Sequence, residues 1–219
     1  MINRRLFLRA PAALAAAGLA TTGLATTGLA TIGIAGRTSP ARAAQIDDDG
    51  LHVQPWFMDT FLEMRDDHAE AREAGKNFVV FFEQRGCPYC REMHEVNLAR
   101  PDIADYVKSN FGAVRINIWG SKRVTDFDGE ELEERALARK WGVSFTPTLS
   151  FFGMDEPEAG KTGRDLEVAR MPGYFKPFHF LSMFEYVRDG AYADTDFQRY
   201  IHAKVEKLEE QGVKVDIWN

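Results

Sequence analysis

The chain has 219 residues, of which 45% are hydrophobic and 27% charged, and its formal net charge at pH 7 is −6. Five of its 27 basic residues and none of its 33 acidic residues lie in residues 1–43, so the remainder carries 22 basic and 33 acidic side chains, a formal charge of −11. This acidic balance argues against nucleic acids and anionic membrane surfaces as partners, because both require basic patches.

Residues 1–43 have the layout of a twin-arginine (Tat) export signal. Arg4 and Arg5 precede an apolar run, residues 10–36 carry no charge, and Ala41 and Ala43 form an A-x-A site. An uncleaved anchor is the alternative, since this uncharged run is long enough to cross a bilayer. Its Gly and Thr content makes it only mildly apolar, which favours cleavage. We therefore predict a periplasmic protein in which residues 44–219 form one domain.

The first elements after the leader alternate between helix and strand. The spacing of apolar residues predicts a helix that begins at Trp56 and stops at Gly75. Residues 78–83 are β-branched, aromatic and mostly without polar alternation, which predicts a central strand buried on both faces. A second helix is predicted to begin at Pro88 and to kink or restart at Pro101.

The second half of the chain is predicted to contain three strands and three helices. The strands are placed at residues 112–119, 146–152 and 166–171, with the last two antiparallel. The helices are placed after the Asp128–Gly129 turn, at residues 178–187, and after Asp194. Strands that alternate with helices and end in a hairpin indicate an α/β fold with a mixed sheet.

Cys87 and Cys90 are the only two cysteines in the sequence. A disulfide between residues this close closes a tiny loop, so a purely structural role is disfavoured. At the start of a helix, unpaired backbone N–H groups and the helix dipole favour the thiolate form of Cys87. We therefore predict that Cys87 attacks a substrate disulfide and that Cys90, one turn further in, resolves the mixed disulfide.

Metal binding is the competing interpretation of the cysteine pair. Cys90 and His94 share a helical face, but Cys87 lies two turns from His94, about 10.5 Å at ~1.5 Å per residue. No second C-x-x-C or H-x-x-x-H motif supplies further ligands. His94 is therefore predicted to be a surface or packing histidine, and no metal is predicted. The acidic segment at residues 124–135 fails the EF-hand pattern and is predicted to be a turn and a solvated helix face.

Three stretches of the chain resemble the landmarks of the thioredoxin superfamily: VVFFEQRGCPYCREMH, FTPT and GYFKPFHF. They correspond to the strand leading into the CXXC helix, the strand that opens at a cis-proline, and the glycine after the last strand. CPYCREMHEVNLARPDIADYV, NIWGSKRVTDFDGE and KWGVSFTPTLSFF resemble the exported thioredoxins of bacterial sulfur-oxidation (Sox) systems, the SoxW type. The resemblance covers roughly residues 50–200. It implies a thioredoxin fold, with a mixed sheet of about four strands flanked by helices and an extra C-terminal helix.

The resemblance also implies roles for individual residues. Cys87 and Cys90 become the redox pair. Pro147 becomes the cis-proline that sits against the sulfurs, and the backbone of Thr146 becomes the part that pairs with an extended substrate. Gly173 would let the backbone of a partner approach closely.

The chain departs from thioredoxins proper around the first cysteine. Their buried Asp, six positions before that cysteine, is replaced by Phe81, and Glu83 on the same side of the strand could act as the proton relay or be a solvated strand-end carboxylate. Their Trp is replaced by Gly86, and their Gly-Pro pair by Pro88 and Tyr89, the glutaredoxin choice. We assign these last three residues to the predicted substrate-binding surface.

These observations predict a periplasmic thiol–disulfide oxidoreductase without a cofactor. The Sox-type resemblance implies a reductant of a protein or sulfur-carrier disulfide in the oxidation of sulfur compounds such as thiosulfate, with a membrane thiol carrier as electron donor. We also predict a monomer. Two alternatives remain open: an oxidant or isomerase of exported proteins, and a dithiol chaperone for a metal or haem cofactor. The tail at residues 190–219 is predicted to be a covering helix, with a docking surface as the alternative.

Overall fold

The computed structural model describes residues 45–217. The predicted signal at residues 1–43 lies outside the described residues and stays a prediction. Across residues 45–217, none of the helices combines the length and the apolar character that a membrane span requires.

The described chain folds into eight strands and seven α-helices. The strands are β1 (Gln45–Ile46), β2 (His52–Val53), β3 (Asn77–Glu83), β4 (Phe111–Asn117), β5 (Arg123–Thr125), β6 (Glu131–Glu133), β7 (Thr148–Phe152) and β8 (Ala169–Pro172). The helices are α1 (Met64–Glu73), α2 (Pro88–Glu92), α3 (Pro101–Asn110), α4 (Glu134–Lys140), α5 (Gly163–Leu166), α6 (Pro177–Arg188) and α7 (Phe197–Glu210). A π-helical turn (Met93–Asn97) follows α2, and a 3-10 turn (Ala191–Ala193) precedes α7.

The central sheet has four strands in the order β4-β3-β7-β8. β3 is parallel to β4 and antiparallel to β7, and β8 is antiparallel to β7. In this register Val80 lies between Val114 and Ser150. The predicted mixed four-stranded sheet, its terminal antiparallel pair and the C-terminal helix are all confirmed.

Strand β3 is buried on both faces, as predicted, and divides two apolar cores. Because side chains alternate along a strand, Phe78, Val80 and Phe82 point into one core, which also holds residues of α1 and α4. Val79 and Phe81 point into the other, which also holds residues of α3 and α6. Phe81, at the position of the thioredoxin Asp, is therefore a core residue.

The predicted helix at residues 56–74 is shorter in the structure, where α1 begins only at Met64. Leu62 has a left-handed backbone with φ of 63°, which a helix cannot contain. The backbone N–H of Met58 donates to the carbonyl of Ala113, and the N–H of Thr125 donates to the carbonyl of Leu62. These long-range hydrogen bonds hold the segment out of the helix, overriding its helical pattern.

The acidic segment is also different from the prediction. Its Asp–Gly turn closes a hairpin between β5 and β6, and α4 begins after the hairpin at Glu134. Asp126 is buried, and the Lys140 ammonium lies 2.8 Å from Asp126 and 2.7 Å from Asp128. The predicted turn is present, but residues 131–133 form β6 and not the start of a helix. Asp126 is not solvated, because Lys140 from the following helix neutralises its carboxylate.

Two other boundaries shift. The fourth strand of the sheet begins at Ala169, because residues 163–166 form the short helix α5. The last helix is capped by Asp196 and not by Asp194, since the carboxylate of Asp196 accepts from the N–H of Arg199 at 3.0 Å.

Asp67 in α1 gives the fold a testable pH dependence. It is buried, and burial raises the pKa of its carboxyl to about 6 although the Thr60 hydroxyl donates to it at 2.6 Å. A raised carboxyl pKa means that the folded state binds the proton more tightly than the unfolded state does. The free energy of unfolding should therefore fall as pH rises from about 4 to about 6.

Asp67→Asn should remove this fall. The difference in the free energy of unfolding between the variant and the unmodified protein should therefore rise by about 1–2 kcal/mol, in favour of the variant, from about pH 4 to about pH 7, allowing for solvent screening. Urea unfolding at both pH values measures it, and Asp66→Asn, at an exposed position of the same helix, is the control. Equal pH dependence in both variants would contradict the prediction.

Candidate active site

Cys87 lies at the N-terminus of α2, where the sequence places it. β3 ends at Glu83, Gly86 turns the chain with φ of 72°, and Cys87 is the N-cap residue. Its Sγ accepts a hydrogen bond from the N–H of Cys90 at 3.1 Å. The sulfur thus satisfies one of the backbone donors that a helix start leaves unpaired, and Pro88 occupies the position where a missing N–H costs nothing.

The two cysteines differ in exposure. Both carry free thiols, with Cys87 4% exposed and Cys90 fully buried. Burial, followed by the negative charge of Glu83, raises the pKa of the Cys90 thiol. Cys90 therefore holds its proton in the reduced protein and must lose it before it can act as a nucleophile.

Thr146, Pro147 and Gly173, the predicted substrate-binding residues next to β7 and β8, lie on the Cys87 side of the sheet. The Thr146–Pro147 peptide bond is cis. The Thr146 hydroxyl donates to Cys87 Sγ at 3.3 Å, and the Thr146 carbonyl lies 3.6 Å from the same sulfur. Gly173 donates its N–H to the Pro147 carbonyl at 2.8 Å, and a side chain added at Gly173 would meet no atom within 4 Å. The space beside these residues is therefore open to a partner's backbone.

Aromatic side chains, three of them exposed, adjoin the segments that carry the site. Tyr89 is 58% exposed and stacks on Tyr174, and Phe145 is 53% exposed directly before Thr146. Trp119 is 68% exposed and donates through its indole N–H to Gln84 at 2.6 Å. Sequence reasoning singled out Tyr89 but missed the other three aromatic residues, although Phe145 stands next to the predicted cis-proline.

Glu83 is not a solvated strand-end carboxylate, and His94 is not a surface histidine. Both side chains are fully buried, and His94 Nε2 lies 2.8 Å from Glu83 Oε1. Gln54 Nε2 lies 3.0 Å from His94 Nδ1. Burial alone would raise the pKa of Glu83, but His94 and His52 outweigh it and lower the pKa. Glu83 is therefore held as a carboxylate.

His52 completes this cluster from the strand β2. Within residues 45–217, one group of three His, Cys, Asp or Glu side chains has donor atoms close enough to suggest a metal site. Its members are His52, Glu83 and His94, and these atoms lie within 4.8 Å of one another. The shortest contact, 2.8 Å, is a hydrogen-bond length. Two ligands of one tetrahedral ion are roughly 3.3 Å apart for bonds of ~2.0 Å, so we assign a hydrogen-bonded cluster.

The sequence offered a signal for only part of the cluster. Glu83 was a candidate through its strand parity, and His94 through its spacing from Cys90. His52 lies in the lead-in before the first helix, where no motif marks it. Only the folded chain brings it to Glu83.

Comparisons with known proteins agree with this architecture. The family model of the thioredoxin-like domain matches residues 64–188, which is more than half of the chain. No curated protein matches the chain significantly.

Several solved structures are similar in fold. A thioredoxin-fold protein from Helicobacter pylori is 23% identical, with a TM-score of 0.49 over 65% of this chain and 98% of that one. A thioredoxin from Thermus thermophilus is 26% identical, with a TM-score of 0.44 over 57% of this chain and 83% of its own. The C-terminal domain of Neisseria meningitidis DsbD is 17% identical, with a TM-score of 0.38 over 57% and 91%.

These TM-scores are low, so membership rests on the family match and on the sheet and the cysteine pair described above. The chain has the mixed sheet, the CXXC helix start and the adjacent cis-proline in one site. It therefore belongs to the thioredoxin-like domain family, has the thioredoxin fold, and is a thiol–disulfide oxidoreductase.

Proposed function

We propose that this protein is a periplasmic reductant that passes electrons to a protein or sulfur-carrier disulfide in the oxidation of sulfur compounds. The observation that carries the proposal is the environment of Cys87. Its sulfur lies beside the cis-proline and the open space at Gly173. Cys90 lies behind Cys87 and keeps its proton in the reduced protein. Cys87 keeps 4% exposure and Cys90 has none, so Cys87 is the cysteine that a substrate disulfide would meet first.

The direction of electron flow is supported by the charges around the pair. A strong oxidant needs a reduced form that is specially stabilised. Here the two hydrogen bonds that Cys87 Sγ accepts come from neutral groups, the Cys90 N–H and the Thr146 hydroxyl. The Glu83 carboxylate opposes a thiolate at Cys90. Beyond the helix start, the reduced pair therefore has no cationic hydrogen-bond partner among the described residues, which favours a reductant.

The compartment and the partners are supported by the sequence. The twin arginines and the A-x-A site of residues 1–43 direct export, and the resemblance to SoxW-type thioredoxins supplies the sulfur-oxidation context. In that context a membrane thiol carrier re-reduces the pair. The aromatic side chains at Tyr89 and Phe145 offer contact surface for the protein that carries the disulfide.

The reduction potential of the Cys87–Cys90 couple tests the direction. Equilibration against glutathione and dithiothreitol buffers should place it near the thioredoxin value of about −270 mV. A value near the oxidant value of about −120 mV would contradict the reductant and favour a disulfide donor to exported proteins. Fractionation of cells expressing the full chain tests the compartment, and recovery only from the cytoplasm would contradict export.

A further inference from the structure

An exposed tryptophan lies beside the loop that leads into the redox pair. Trp119 is 68% exposed and comes two residues after the end of β4. β4 is parallel to β3, and the last pair of their register joins Asn117 to Glu83. Because paired strands lie about 4.8 Å apart, the chain that leaves β4 runs next to residues 84–86, which connect β3 to Cys87.

Hydrogen bonds fix the tryptophan on this loop. The Trp119 indole N–H donates to the side-chain oxygen of Gln84 at 2.6 Å. The carbonyl of the same Gln84 accepts the N–H of Cys87 at 3.3 Å. The backbone N–H of Trp119 donates to the Asn117 side chain at 3.0 Å. The ring and the backbone of Trp119 are therefore both anchored, and one residue links the indole to Cys87.

The turn that carries Trp119 is also tightly packed. The N–H of Gly120 donates to the Asn117 carbonyl at 2.8 Å, and the Glu134 carboxylate accepts the N–H of Asn117 at 2.9 Å. A Cβ added at Gly120 would come within 1.9 Å of a Glu134 oxygen, so the turn lies directly against that side chain. A side chain that is ordered before binding loses little conformational entropy when a partner covers it. Tryptophan is also enriched among the residues that contribute most to protein–protein binding.

Trp119 and Pro147 lie on opposite sides of Cys87. In the sheet order β4-β3-β7-β8, Cys87 follows β3, Trp119 follows β4, and Pro147 precedes β7. The extended backbone of a partner is predicted to pair with Thr146, on the β7 side. Trp119 is therefore placed to contact a different part of the same partner, on the β4 side.

The charged side chains that flank Trp119 already have partners. Lys122 pairs with Asp49, and Arg123 pairs with Glu131 at 3.2 Å. The Arg85 guanidinium donates to two backbone carbonyls of the turn between β1 and β2, at 3.1 and 3.2 Å. An aromatic ring inside a rim of paired charges matches an apolar side chain better than a charged one.

We propose that Trp119 is a specificity-determining residue of this oxidoreductase and binds an apolar side chain next to the disulfide of a protein substrate. The inference rests on the proposed function in taking a protein disulfide as the substrate. Trp119 supplies no group to the exchange reaction itself. Its loss should therefore weaken substrate binding and leave the maximal rate unchanged.

Two synthetic disulfide peptides test the proposal. In one peptide a leucine precedes and follows each cysteine, and in the other serine replaces every leucine. Excess peptide is mixed with the reduced protein, the reaction is quenched with acid, and mass spectrometry gives the maximal rate and the half-saturating concentration. Trp119→Ala should raise the half-saturating concentration of the leucine peptide by about 5–10-fold. It should change that of the serine peptide by less than about twofold.

Two further variants are controls. Trp119→Phe keeps an aromatic face and should keep most of the preference for the leucine peptide. Met154→Ala is the matched control, because Met154 is also exposed and apolar but follows the far end of β7, and it should leave both peptides unaffected. A leucine preference that survives in Trp119→Ala would overturn the proposal. So would an equal loss with the small disulfide dithiobis(nitrobenzoate), since Trp119 would then act by positioning the Gln84 loop.

Tryptophan emission gives a readout that does not depend on rates. When Cys90→Ser is trapped as a mixed disulfide with the leucine peptide, the exposed indole should become covered and its emission should move to shorter wavelength. The same complex with Trp119→Phe added should show no shift, and an equal shift there would count against Trp119.

Failure of the inference and failure of the proposed function give different results. Peptides that are reduced equally well by Trp119→Ala and by the unmodified protein contradict only the role of Trp119. Reduction of dithiobis(nitrobenzoate) but of neither peptide would contradict the protein substrate of the proposed function. Absence of all three reactions would contradict the thiol–disulfide assignment itself.

Discussion

Replacing Cys90 by serine should trap this protein as a mixed disulfide with its substrate, whereas replacing Cys87 by serine should abolish disulfide exchange. Cys87 Sγ lies at the helix start beside Thr146 and the cis-proline, and Cys90 is fully buried behind it. Cys87 is therefore the cysteine that an incoming disulfide should meet first. Its loss should lower the exchange rate by at least about 10³-fold, as expected when a nucleophile is removed.

Mass spectrometry and non-reducing gels of each variant, incubated with oxidised substrate or with a small disulfide, measure this outcome. The double variant is the control for non-specific adducts. A mixed disulfide that formed in Cys87→Ser and not in Cys90→Ser would reverse the two roles. In that case the buried position of Cys90 would have to open in solution.

Replacing Trp141 by alanine should cause the largest loss of stability. Trp141 is fully buried, and its ring centroid lies 5.5 Å from those of Phe82 and Phe152. Its indole N–H donates to buried Asp126 at 3.1 Å. A Cβ added at Gly163 would come within 1.9 Å of the ring, which shows how closely the backbone packs there. The variant leaves a cavity and removes one of the three hydrogen bonds that Asp126 Oδ1 accepts, at a cost of about 3–5 kcal/mol.

Urea unfolding followed by far-UV circular dichroism measures this loss. Trp119→Ala is the matched control because Trp119 is 68% exposed, and its replacement should change stability by less than about 0.5 kcal/mol. Similar losses in the two variants would show that the core of α4 and β3 closes around the cavity. That result would contradict the rigid packing described for Trp141.

Much of the fold follows from local patterns. The buried run of β3, the alternation in β4 and the proline and cysteines at α2 are encoded in contiguous residues. Periodicity and the fixed geometry of proline act over a few residues, so they can be interpreted without knowing the partners. The failures occur where distant segments compete with local preference. Leu62 leaves the helical pattern because Thr125 binds its carbonyl.

The candidate site divides in the same way. The sequence by itself determined the redox pair and its position at a helix start, because the C-x-x-C motif and the flanking strand and helix are contiguous. Only the tertiary structure decided the state of Glu83, which became a buried carboxylate between His52 and His94. Burial and charge depend on which groups surround a side chain in space. Those groups come here from the lead-in strand β2 and from the turn after α2.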